Sequence, residues 1–199
     1  MIYIAHRRNS IQELENTSRE YGVEIDIRSF GEDLILHHEP FVEGEKFKNW
    51  IKNYNHRILI LNVKEDGLEK KIMALMKEYS VKDFFFLDQA FPTLVQHLNK
   101  GNSRSAIRLS EYESPQMSYQ FSGKANWVWA DCFNRYPLNK EISDNLQGMG
   151  FKVCLVSPEL QGRMGEEDIQ KAYDFIETNN IVIDGICTKR IDLWERLID

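Results

Sequence analysis

The chain has 199 residues, of which 42% are hydrophobic, 12% aromatic and 28% charged, and its formal net charge is −6. That length fits a single domain over residues 1–199 with a substantial core, and the composition excludes a disordered or fibrous chain. The acidic balance argues against a nucleic-acid backbone or an anionic membrane surface as the main partner. The opening Met1-Ile-Tyr-Ile-Ala-His-Arg-Arg8 lacks a basic stretch followed by a long apolar one. No apolar run approaches the roughly 20 residues of a membrane helix, so the cytoplasm is the expected compartment. Cys132, Cys154 and Cys187 are odd in number and embedded in apolar runs, which points to buried free thiols rather than a disulfide framework or a zinc site.

In chain order, Met1 to Ala5 is a short β-branched run that ends in His6 and Arg7. Ser10 can cap a helix from about Ile11 to Tyr21, with Gly22 ending it. Val23, Ile25 and Ile27 then alternate with Glu24 and Asp26, so a strand places both carboxylates on one face, an arrangement that wants a cation. Ser29-Phe-Gly-Glu-Asp33 reads as a turn and Leu34 to His37 as a returning strand, a small hairpin excursion with His38 at its exit. Phe47, Trp50, Ile51 and Tyr54 predict a helix from about Gly44 to Tyr54 with Trp50 inward. Ile58 to Leu61 is a fully apolar strand of the parallel, doubly covered kind, and it runs into Asn62-Val63-Lys64.

The alternation continues. Leu68, Ile72, Leu75 and Met76 mark a helix, Phe84 to Asp88 a strand, and Pro92 to Asn99 a helix. Further strands are expected at 106–110, 127–131, 151–156 and 181–187, with helices at 138–148, 166–178 and 191–198. Leaving the hairpin strand aside, eight strands recur at intervals of roughly 20 to 35 residues, the spacing of βα units in a (β/α)8 TIM barrel. At this length several helices must be abbreviated, the first and the one between strands five and six foremost. An open doubly wound sheet is the rival, but neither Gly-x-Gly-x-x-Gly nor a P-loop follows any strand.

Ile4-Ala-His6-Arg7, the segment Glu13-Leu-Glu15-Asn16, Glu24-x-Asp26 and His38-Glu39-Pro40 together resemble the N-terminal signature of the glycerophosphodiester phosphodiesterase-like family. That family has a TIM barrel, a His-Arg-Gly start, a Glu-x-Asp metal pair, a His-Asp motif and a Glu-x-Lys on its third strand. In this chain Arg8 replaces the glycine, Glu39 the aspartate, and Asn62-Val63-Lys64 the Glu-x-Lys. The resemblance implies a metal-dependent phosphodiester hydrolase acting on a small glycerophosphodiester-like molecule. It implies His6 and His38 as the acid/base pair, and Glu24, Asp26 and the position of Asn62 as ligands of Mg2+ or Ca2+.

Residue chemistry runs beside this. In a TIM barrel the active site lies at the C-terminal strand ends, and every expected strand exit carries polar groups. They are His6 and Arg7, Glu24 and Asp26, Asn62 and Lys64, Asp88, Arg108 and Ser110, Asp131, Ser157 and Glu159, and Lys189. Phosphodiester cleavage needs a base, an acid and positive charge. His6 and His38 can exchange protons near neutrality, whereas Arg7, Lys64 and Arg108 can neutralise a phosphate. His37, His56 and His97 are set aside as peripheral. Two alternatives stand: a barrel that binds phosphate without turnover, suggested by Arg8, Glu39 and Asn62, and another phosphate-handling barrel enzyme working through Lys64 or Lys189. With Asn62 supplying no charge, cation binding should be weaker than at three carboxylates, unless another acid such as Asp88 or Glu111 substitutes.

Overall fold

A computed structural model describes residues 1–198 as a mixed α/β fold in which short strands alternate with helices. The residues fall into two compact units, one spanning Ala5–Lys100 and the other Met1–Ile4 with the chain from Gly101 onward.

In the first unit, a helix α1 (Ile11–Glu15) precedes a nine-residue strand β2 (Gly22–Phe30), β1 (Ile2–Ala5) having ended where the unit begins. Next come β3 (Asp33–Leu36), β4 (Glu45–Lys46), α2 (Phe47–Trp50) with a 3-10 turn over Ile51–Asn53, β5 (Leu59–Val63), α3 (Glu69–Glu78), β6 (Phe84–Leu87) and α4 (Phe91–Asn99). β2 pairs in parallel with β5, and β5 with β6; on its other course β2 turns back antiparallel onto β3, which pairs antiparallel with β4. The apolar runs in β5 and β6 are buried throughout, as a sheet covered on both faces requires.

The second unit orders its strands β1-β10-β9-β8-β7, with β7 (Ala106–Leu109), β8 (Trp127–Ala130), β9 (Lys152–Val156) and β10 (Gly185–Thr188) paired in parallel. Its helices are α5 (Pro115–Tyr119), α6 (Lys140–Gly148), α7 (Glu166–Thr178) and α8 (Ile191–Ile198). Gly185 gives close clearance where β10 passes β1, because a Cβ there would lie 3.1 Å from the Ile4 side chain and 3.3 Å from the Ile2 carbonyl. All three cysteines are buried free thiols, and burial pushes the Cys154 thiol up.

Several expectations are met and several corrected. The eight barrel-type strands are present, and α1 and α5 are short as expected, five residues each, although α2 is shorter still at four. The closed TIM-barrel ladder is not formed among the described residues, where β6 pairs only with β5 and β7 only with β8. These edge strands have four residues each, and short edges are a low-cost way to leave a ladder unpaired. α1 stops at Glu15 because Asn16 caps it, and the expected helix from Gly44 shortens because Glu45 and Lys46 pair with β3. The last strand starts at Gly185 rather than Ile181.

Candidate active site

The polar strand exits of the unit spanning Ala5–Lys100 form one connected cluster. Glu24 and Asp26 stand on the same face of β2, are 1% and 0% exposed, and sit opposite Ile60 and Asn62 of β5. Lys64 follows β5 directly and Asp88 follows β6, next to Leu87, the ladder partner of Asn62. Buried carboxylates are costly unless donors or cations face them, and here three of the four oxygens accept a hydrogen bond while the fourth faces the Lys64 ammonium. Glu24 Oε1 accepts from the Asn62 amide at 2.9 Å, and its Oε2 accepts from the Arg7 backbone N–H at 2.8 Å and lies 3.7 Å from His6 Nε2. Asp26 Oδ2 accepts from the Asn9 amide at 3.0 Å and lies 3.5 Å from Arg7 Nε; its Oδ1 is 3.2 Å from Lys64 Nζ. Lys64 Nζ also reaches Asp88 Oδ2 at 3.7 Å.

The electrostatics follow. Burial and then the neighbouring Asp26 charge push the Glu24 carboxyl up from 4.5 to about 7, against the Asn62, Arg7 and Lys64 interactions that favour its ionised form. Backbone strain gathers at the same place: Arg7 has φ 53° and Asp88 φ 58°, left-handed values uncommon outside glycine. At Arg7 this conformation accompanies the N–H donated to Glu24, while Arg8 N–H donates to the Glu24 carbonyl at 2.8 Å.

His38 leaves the hairpin, half-exposed, with Nδ1 2.6 Å from Glu39 Oε1. The His38 hydrogen bond and charge, then Arg7 and Arg28, hold the Glu39 carboxyl below its usual range. The His38 carbonyl accepts from Arg28 Nε and NH2 at 3.0 and 2.9 Å, and a third nitrogen of the same guanidinium donates to the Lys64 carbonyl at 3.4 Å. Gly44 closes the loop base, where a Cβ would meet the Leu36 carbonyl oxygen at 2.5 Å.

Two solved structures are similar to this chain over nearly its whole length. A glycerophosphoryl diester phosphodiesterase from Parabacteroides distasonis matches with a TM-score of 0.67 at 14% identity, over 99% of this chain and 85% of its own. A glycerophosphodiester phosphodiesterase from Agrobacterium tumefaciens matches with a TM-score of 0.65 at 11% identity, over 98% of both chains. The chain has the fold of the glycerophosphodiester phosphodiesterases. No family model and no curated protein matches its sequence.

Within that fold, the sequence-derived residues His6, Arg7, Glu24, Asp26, Asn62 and Lys64 come together, with His38 on the same unit. Arg108 lies in the other unit, paired with Asp131, whose second oxygen accepts from Gln161 at 2.7 Å. Glu159 there is a satisfied buried carboxylate, accepting from Ser157, Thr188 and the Lys189 N–H. Glu15 and Asn16 end the short α1, with Glu15 exposed.

Sequence reasoning missed three supports. The Asn9 side chain grips Asp26 twice, its Oδ1 accepting the Asp26 N–H at 2.9 Å, and the only hint was an amide just past His6-Arg7-Arg8. Arg28 lies on the β2 face that carries Glu24 and Asp26, a period-two signal that could have been followed two residues further. Trp50 is fully buried, as its spacing predicts, and its Nε1 also donates to the Arg8 carbonyl at 2.8 Å, a role that spacing does not reveal.

For a divalent cation the oxygen donors at hand are Glu24, Asp26 and Asn62. Among the described residues no three His, Cys, Asp or Glu side chains group around a metal position. Asn62 Oδ1 is nevertheless buried without a hydrogen-bond partner, and Asp26 Oδ1 has only the Lys64 ion pair. Two carboxylates and an orphaned amide oxygen fit an oxygen-seeking ion.

Proposed function

We propose that this protein is a phosphodiester hydrolase of the glycerophosphodiesterase kind, acting on a small glycerophosphodiester-like substrate. The observation that carries this reading is the buried Glu24–Asp26 pair, packed against Arg7, Lys64 and His6 at the strand exits. His6 and His38 are its acid/base pair. One imidazole takes the proton from the attacking hydroxyl, with the hydroxyl beside the phosphate as the internal nucleophile. The other imidazole gives its proton to the leaving alkoxide as the old P–O bond breaks and the new one closes a cyclic phosphate, which water then opens with the two histidine roles reversed. Each histidine has a carboxylate neighbour, Glu24 for His6 and Glu39 for His38, suited to holding the ring and stabilising its protonated form.

Arg7 and Lys64 neutralise the phosphate, Arg7 through a planar fork that matches two oxygens. Glu24, Asp26 and Asn62 hold Mg2+ or Ca2+, which when bound supplies positive charge for the transition state. The test is turnover of a panel of glycerophosphodiesters and bis-aryl phosphates with Mg2+, Ca2+, Mn2+ and EDTA. EDTA-sensitive hydrolysis is expected, and hydrolysis of none of them in any metal would sink the reading.

A second reading, a phosphate-binding protein without turnover, draws on one feature. The Asn62 amide already hydrogen-bonds Glu24 and the Lys64 ammonium already neutralises Asp26 from within. Saturable binding of glycerol 3-phosphate with no hydrolysis of the panel would favour it.

A further inference from the structure

We infer that Lys64 is an internal stand-in for the metal cation, so that a divalent ion binds well only when an anionic substrate draws the ammonium away. The inference rests on the metal-assisted reading above and specifies how its site is loaded.

Lys64 is fixed at its backbone and divided at its tip. Its N–H donates to the Ile27 carbonyl at 3.0 Å and its carbonyl accepts from Arg28, so the Cα cannot drift. Its Nζ lies between Asp26 Oδ1 at 3.2 Å and Asp88 Oδ2 at 3.7 Å. Two positions are therefore within reach of one flexible side chain: against Asp26, or turned outward on the Asp88 side. Asp26 is fully buried, whereas the Asp88 side chain is 27% exposed, so the second position is open to solvent and to a ligand.

The oxygen that Lys64 covers is one a cation would need. Asp26 Oδ2 and both oxygens of Glu24 each already accept a hydrogen bond, from Asn9, the Asn62 amide and the Arg7 N–H, whereas Asp26 Oδ1 and Asn62 Oδ1 accept none and are the least committed donors of the set. An ammonium and a divalent ion cannot share Asp26 Oδ1 at close range, because like charges a few ångströms apart in a buried site repel strongly. Position 62 makes the contest closer. A carboxylate there would favour the divalent ion, while the neutral amide leaves a monovalent ammonium a sufficient partner. A substrate phosphate changes the balance by giving Lys64 a new anion and adding negative charge for the ion. Cation and anion then bind with positive coupling, each raising the other's affinity by the same factor.

The measurement is calorimetric titration of Mg2+ into the wild type, with and without saturating glycerol 3-phosphate, and into Lys64→Met, with the thermal unfolding midpoint as a second readout. Wild type is expected to bind Mg2+ at least tenfold more tightly with the anion present. Lys64→Met is expected to bind Mg2+ at least tenfold more tightly than wild type without the anion, and to lose most of the coupling. Should Lys64→Met not fold, Lys64→Gln keeps an amide donor for Asp26 and carries the same expectation. Equal Mg2+ affinity in wild type and both variants overturns the stand-in role while leaving the metal-assisted reading in place. Absence of Mg2+ binding in every protein, with or without the anion, overturns both.

Discussion

Glu24 retains a proton at pH values where an unfolded glutamate has lost its own. Its carboxyl stands at about 7 in the folded protein against an ordinary 4.5, so between those values the folded state binds more protons than the unfolded one. Stability from this group is thus present below 4.5 and lost as the pH rises through 7. In EDTA, the unfolding free energy of the wild type relative to Glu24→Gln should fall across that window, and a flat difference would count against the assignment. At position 62, Asn62→Glu should tighten Mg2+ or Ca2+ binding by about tenfold, about 1.4 kcal/mol, because a third carboxylate adds charge to the ion's surroundings. An unchanged affinity would mean that position 62 does not face the ion. Replacing His6 or His38 with Ala should each cost about 100-fold in rate and remove one limb of a bell-shaped pH profile. Near-normal rates in both would discard the two-histidine mechanism.

At the scale of elements, the hairpin β2–β3 with its loop back to β4 is the piece that brings His38 and Arg28 to the site. Its base is closed by Gly44, where a Cβ would fall 2.5 Å from a backbone oxygen. Gly44→Ala should therefore cost about 1–3 kcal/mol in urea unfolding, since the backbone rather than a flexible side chain must give way. How far such features could be read beforehand differs with their range. The period-two alternation in 23–27 and the apolar runs at 58–61 and 84–87 identified β2, β5 and β6, because burial writes itself into neighbouring residues. α7 and α8 were legible to the residue from their spacing. The early end of α1 and the β3–β4 pairing depend on a side-chain cap and on hydrogen bonds between segments, which leave little local trace. The same holds for the site: Glu24, Asp26 and the histidines stood out by type and position. Asn9 and Arg28 act on backbone groups 17 and 10 residues away, and their immediate neighbours offer only the position of an amide after His6-Arg7-Arg8 and the period-two continuation of Glu24 and Asp26.

For the whole molecule, the polar groups keep to strand exits while the thiols are sealed within strands or just past them. Cys132, Cys154 and Cys187 are 2%, 0% and 0% exposed. A thiol reagent added to the native protein should react slowly, and three thiols should titrate together once guanidinium unfolds it. Rapid labelling of all three in the native protein would contradict the packing of β8, β9 and β10.

The indole of Trp50 is tied to the Arg8 carbonyl, adjacent to Arg7, and stacked on Tyr54 with ring centroids 5.8 Å apart. That tether makes it a built-in optical reporter. A ligand that pulls on Arg7 shifts the carbonyl to which the indole donates, and indole emission responds to such a change in hydrogen bonding. With Trp127, Trp129 and Trp194 replaced by Phe, the remaining fluorescence should change wavelength or intensity as glycerol 3-phosphate is titrated in, giving occupancy of the site without a chromogenic substrate.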